Sequence, residues 1–151
     1  MKRVLAIVAL LALAACGRSF DVKTAPGFVA VDEQNSAYDF RAVAPDGVAV
    51  AVRSVPSSDG DVAFWEQATL LRMKELDGYE PTGAVDVKSA DGTKGRELSF
   101  SHDEQGKAFV YRVRLFTSGK HLVVAEAGGA KDAMDRYKSS VDWMLASVRV
   151  N

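Results

Sequence analysis

KGRELSFSHDEQGKAFVYRVRLFTSGKHLVVAEAGG, residues 94–129, decides the fold. Leu98 and Phe100 alternate with polar neighbours, as do Phe109, Tyr111, Val113 and Leu115, and the run from Leu122 to Ala127 is almost wholly apolar. Period two with aromatic and β-branched side chains specifies strands. Glu104-Gln105-Gly106 and Ser118-Gly119 separate them, and Asp91-Gly92 separates the first from an upstream pair, Val85 and Val87. Turns this short join only antiparallel neighbours, because a parallel connection needs a crossover of about a dozen residues or more. The stretch therefore predicts the greater part of a four-stranded meander. Gly128-Gly129 reads as the break that ends the sheet, and Asp132 as the cap of a terminal helix with Tyr137, Val141, Met144, Leu145 and Val148 on its buried stripe.

Working towards the amino terminus, Tyr38, Phe40 and Ala42 alternate before Ala44-Pro45-Asp46-Gly47, and Val48, Val50 and Val52 alternate after it. That is a β-hairpin. DVAFWEQATLLRMKELDG, residues 61–78, then changes period: Asp61 caps a helix, Gly78 stops it, and Trp65, Ala68, Leu71 or Arg72, and Leu76 form its expected inner side. The expected fold is α+β, an antiparallel sheet of about six strands with two helices. Trp65 and Trp143 are expected to anchor those helices to the sheet; an exposed one would point to a partner surface instead.

The order of these elements, and above all residues 94–129 running into VDWMLASVRV, resembles the PsbP/Mog-type α/β/α sandwich, which includes the bacterial DcrB-like lipoproteins. The resemblance covers about residues 27–150. The Pro-x-x-Trp-like turn of that group is represented by Pro45-Asp46-Gly47-Val48, without the tryptophan. The resemblance implies a non-enzymatic accessory, assembly or binding protein of membranes.

Met1-Lys2-Arg3 followed by the apolar run Val4–Ala15 has the charge and length of an export signal, since a bilayer span wants roughly 20 residues. Leu13-Ala14-Ala15-Cys16 resembles the lipobox of bacterial lipoproteins, in which a signal peptidase cuts before a cysteine that carries diacylglycerol. Cys16 is the single cysteine, which excludes an intramolecular disulfide and leaves acylation as the role that explains its position. The expected organisation is a lipoprotein signal peptide over 1–15, a lipidated amino terminus and tether over 16–26, and one domain over 27–151. Gly17 is not the aspartate of the enteric inner-membrane retention signal, which by that analogy favours the outer membrane. With 19 basic and 20 acidic residues, the chain lacks the excess positive charge of a nucleic-acid binder.

The search for chemistry yields little. His102 and His121 fall in or beside polar turns, no Gly-x-Ser-x-Gly accompanies them, and their spacing suits no known zinc site. Asp86, Asp91, Asp103 and Glu104 lack the alternation of a calcium loop, and Gly128-Gly129-Ala130-Lys131 lacks the rest of a phosphate loop. No metal, cofactor or catalytic residue is expected. Arg53, Asp86, Lys88, Glu97, Arg112 and Arg114 share the alternate parity with Ala49, Ala51, Ser99 and Ser101, so one side of the sheet is expected to be polar. Arg112, Arg114 and Arg53 are its candidate ligand-binding residues, able to grip a carboxylate, a phosphate or a lipid headgroup. Cross-strand pairing with Glu97 and Asp86 is the alternative use of those charges.

The sequence thus points to a non-catalytic, lipid-anchored envelope protein that serves as an accessory or binding module for an envelope partner. A carrier of a small anionic ligand or lipid is the second expectation.

Overall fold

The computed structural model describes residues 18–34, 36–57 and 59–151. The proposed signal peptide and Cys16 lie outside the described residues. The elements run β1 (Phe20–Asp21), β2 (Val29–Ala30), β3 (Phe40–Val43), β4 (Ala49–Pro56), α1 (Val62–Glu75), β5 (Glu80–Lys88), β6 (Lys94–Glu104), β7 (Lys107–Ser118), β8 (His121–Ala130), α2 (Lys131–Arg136), α3 (Lys138–Ala146) and β9 (Arg149–Val150). Seven strands form one sheet in the order β2-β3-β4-β8-β7-β6-β5, every neighbouring pair antiparallel, while β1 and β9 pair separately.

The meander β5 to β8 and the β3–β4 hairpin form as the alternation predicts. In the hairpin turn, Gly47 donates its N–H to Ala44 O at 3.0 Å with φ of 82°, a conformation that favours glycine. The sheet has seven strands rather than about six because Val29–Ala30 adds an edge strand too short to leave a periodic signal.

Hydrophobic residues pack on both faces. Val50, Val52, Phe116, Val123 and Ala125 meet Met134, Val141, Met144 and Leu145 of α2 and α3 on one side. Leu98, Phe100, Val113, Leu115, Leu122 and Val124 meet Trp65, Leu70 and Met73 of α1 on the other. Because successive strand residues point to opposite faces, β8 feeds both cores from alternate positions. The result is helix, sheet, helix: an α/β/α sandwich.

Five expectations need correction. The terminal helix is two helices, broken at Tyr137, where ψ rises to 10°. Gly128 and Gly129 do not break the sheet; they lie inside β8, and a Cβ on Gly128 would stand 2.5 Å from the Tyr111 ring. On α1 the buried residue is Met73, whereas Leu71 and Leu76 are 64% and 77% exposed. Two residues from Met73 place Leu71 about 200° around the helix, on its outer side. Trp143 is no anchor either, being 48% exposed on α3. Finally, residues 20–26 are not tether: Phe20 is 2% exposed and pairs with Val150, and Ala25 is buried in the same core.

Candidate functional site

Helix α1 packs chiefly on β5, β6 and β7 and covers the β4–β8 part of that face less closely. A groove of about 370 Å³ results. Trp65, Thr69 and Met73 form its wall, Arg53 and Val55 of β4 with Leu122, Val124 and Glu126 of β8 its floor, and Tyr38 and Tyr111 its far end. Beyond those tyrosines and Glu126 a second depression of about 480 Å³ continues over Ala49, Ala51, Gly128 and Gly129, whose small side chains leave the backbone nearly bare.

Glu126 is the polar centre. It is 7% exposed, and its Oε1 stands 3.5 Å from an Arg53 guanidinium nitrogen, a long contact for an ion pair. Its Oε2 is buried and makes no hydrogen bond of good geometry among the described residues, although the Tyr38 and Tyr111 hydroxyls stand close enough to act on the carboxylate. Arg53 Nε and Trp65 Nε1 are likewise buried and without a hydrogen-bond partner among the described residues, so one acceptor and two donors belong to residues that line the same groove. Each such group costs about 1–3 kcal/mol when left unsatisfied. Arg53 also lies over the Tyr38 ring, with Cζ 5.8 Å from its centroid. Burial and then the Glu126 carboxylate push the phenols of Tyr111 and Tyr38 above their ordinary value, so both rings are neutral hydrogen-bonding groups at any physiological pH. Arg72 and Asp77, 3.7 Å apart, stand at the rim.

Of the three candidate arginines, only Arg53 lies here. Register separates them: Arg53 is opposite Val124, whereas Arg112 and Arg114 are opposite Ala127 and Ala125, which point into the other core. Asp86 and Lys88 are paired with Arg96 and Lys94, so they too stand on the groove's side of the sheet and not beside Glu97. The single polar face expected from parity does not exist.

Arg112 and Arg114 are instead occupied by pairing. Arg112 holds Glu97 at 2.8 Å and Asp142 of α3 at 2.6 Å, and Arg114 holds the second oxygen of Glu97 at 2.5 Å. Lys138 reaches the other oxygen of Asp142. Burial works against ionised Asp142, but hydrogen bonds from Lys138 and Arg112 overcome it and hold its carboxyl below the usual range. Cross-strand pairing with Glu97 is therefore what these arginines do, with Asp142 in the place expected for Asp86. Asp86 pairs with Arg96, which also takes Glu66 of α1 at 3.0 Å.

His102 Nδ1 is 3.0 Å from Gly78 O at the end of α1, and His121 starts β8 on the surface. Lys131 pairs with Asp135 within α2.

No protein-family model matches the chain, and no curated protein matches it in sequence. Solved structures do. LpqN of Mycobacterium tuberculosis, described as involved in cell envelope biogenesis, superposes with a TM-score of 0.72 at 15% identity, covering 87% of this chain and 83% of LpqN. Cyanobacterial PsbP of Synechocystis sp. PCC 6803 superposes with a TM-score of 0.56 at 16% identity over 94% of this chain and 99% of its own. The fold is PsbP-like. A Pseudomonas aeruginosa protein of unknown function, called a putative regulator, shares it with a TM-score of 0.56 at 10% identity, covering 91% of this chain and 87% of that protein. The PsbP-like sandwich accounts for the layers and the meander.

Proposed function

We propose that this protein is a non-catalytic, lipid-anchored binding module of the bacterial cell envelope, and that its ligand lies in the groove between α1 and the β4–β8 floor. The envelope half of the reading is supported by the lipobox-like Leu13–Cys16 and by the likeness to LpqN. The binding half is carried by one observation, the buried Glu126 carboxylate at the centre of the groove, whose Oε2 has no well-formed hydrogen bond among the described residues and only the nearby Tyr38 and Tyr111 hydroxyls to turn to. A carboxylate in that state is costly to keep unless something it binds satisfies it.

The ligand chemistry follows from the lining. Glu126 accepts hydrogen bonds, Arg53 and Trp65 donate them, and Val55, Leu122 and Val124 offer apolar contact. A molecule with an uncharged, hydroxyl-bearing or zwitterionic head and an apolar portion satisfies all of these. A simple anion does not, because it would meet Glu126.

Native mass spectrometry of the protein purified gently from envelopes tests this. Wild type should carry a non-covalent small molecule, and Glu126→Gln and Arg53→Met should each lose most of it. Equal occupancy in both variants, or none in wild type, removes the groove as the binding site. A protein partner is a second reading, favoured by Trp143, which is 48% exposed on α3 where a core anchor was expected. It predicts that a photocrosslinker at position 143 captures one discrete envelope protein, and that one at the exposed Leu76 does not.

A further inference from the structure

The chain is locked into the fold almost from the first described residue. Asn151 donates its backbone N–H to Ser19 O at 2.9 Å and its side-chain amide to Arg18 O at 3.1 Å, and β1 begins at Phe20. Only Gly17 lies between Arg18 and Cys16. Two residue steps span about 7 Å even when fully extended. A lipid on Cys16 therefore has no tether to swing on.

We infer that one end of the sandwich rests on the bilayer surface: the end formed by Arg18, the β4 exit at Pro56 and the β7–β8 turn at Lys120 and His121. This inference rests on the lipid-anchor reading and adds an orientation to it. Three observations place those groups together. A surface depression is lined jointly by Arg18, Phe20, Ser54, Pro56 and His121, with Asp39, whose carboxylate accepts from Ser54 N–H, also on its wall; Ser57 N–H donates to Lys120 O at 2.7 Å; and Pro56 is opposite His121 in the sheet. Arg18, Lys120 and His121 are exposed there, able to meet headgroup phosphates, and Val55 is 37% exposed beside them.

The occupant is a phospholipid surface, because the length of chain between Arg18 and the acylated residue permits nothing thicker to intervene. The β6–β7 turn lies at the far end of β7, a strand of 12 residues. At about 3.3 Å per residue that end stands roughly 35–40 Å from Lys120, well beyond the headgroups. The orientation also aims the groove: Val55 and Leu122, which pair across β4 and β8, form its bilayer-side end, and Glu126 lies further from the membrane. An amphiphile could then enter from the bilayer with its apolar part trailing.

The test uses the acylated full-length protein in phospholipid vesicles containing a headgroup nitroxide lipid, with a fluorophore on Lys120→Cys or on Glu104→Cys, both exposed positions. The acyl group blocks the Cys16 thiol, so each label is single. Emission from position 120 should be quenched severalfold and that from position 104 hardly at all. A Gly/Ser spacer of about 20 residues after Gly17, with a reach of about 25 Å, should abolish the difference. Equal quenching at both positions without the spacer overturns the orientation while leaving the anchor standing. A protein that lacks the acyl mass and fails to float with vesicles overturns the anchor and this inference with it.

Discussion

Glu126 is where the demands of folding and binding diverge. It is the one charged residue in the apolar run Leu122–Ala127, and β8 carries it into a face otherwise built of Leu122 and Val124. A carboxylate kept there for stability would hold its arginine closely, as Glu97 holds Arg114; the 3.5 Å separation from Arg53, and an Oε2 with no well-formed hydrogen bond among the described residues, are the opposite arrangement. Glu126→Leu combined with Arg53→Met is accordingly expected to leave stability unchanged or raise it by about 1–2 kcal/mol, because the desolvation cost of both charges disappears together, whereas either change alone leaves the other charge without its partner. Urea unfolding with unchanged slope measures it, and a lower midpoint would make Glu126 a structural residue. The signal for this site was in the sequence, an isolated glutamate inside a buried strand two residues from Gly128. What could not be read there was which residues it would face. Tyr38, Tyr111 and Trp65 come to it from three distant segments.

At the scale of elements, alternation was legible and register was not. Period two assigned the meander strands and the hairpin, and the stripe Val141, Met144 and Leu145 assigned the inner side of α3. Parity within one strand says nothing of parity in the next, however, so grouping Arg53 and Asp86 with Arg112 and Arg114 required a register that only the paired sheet supplies. The same limit hid the second apolar face, since a sheet covered on both sides alternates between two kinds of buried residue. The short strands Phe20–Asp21 and Val29–Ala30 have too few residues to show a period at all. The Arg112–Glu97–Asp142 set clamps α3 onto β6 and β7, with Glu97 8% exposed at its side chain. Arg112→Ala is expected to cost about 1–2 kcal/mol, less than full loss of a buried pair because Arg114 still neutralises Glu97. The check is a lower denaturation midpoint with ligand occupancy of the groove unchanged; lost occupancy at unchanged stability would restore Arg112 as a ligand-binding residue.

For the whole molecule, closure depends on joining the first and last strands. Phe20 is buried in the larger core and β1 has β9 as its only strand partner among the described residues, so Phe20→Ala is expected to cost about 3–4 kcal/mol, seen as a melting point lower by about 10 °C or more. Asp91 fastens this pair of strands to the main sheet. From the β5–β6 turn it accepts from Ser89 Oγ at 2.6 Å, from the β9 amide of Val150 at 2.8 Å and from Thr93 Oγ at 2.9 Å. These hydrogen bonds, Ser89's first and Val150's next, hold its carboxyl well below the ordinary 3.8. A depressed carboxyl adds stability at pH values above its unfolded value, and that stability is lost as the pH falls from there through the folded value. Asp142, also held low, acts in the same direction. The wild-type unfolding midpoint should therefore decline below about pH 4, and Asp91→Asn, which keeps an acceptor but not the charge, should be less stable at neutral pH and decline less steeply on acidification. Midpoints measured from neutral pH down to about pH 2 decide it: parallel curves for the two proteins would mean that Asp91 is not what fastens the closing strands.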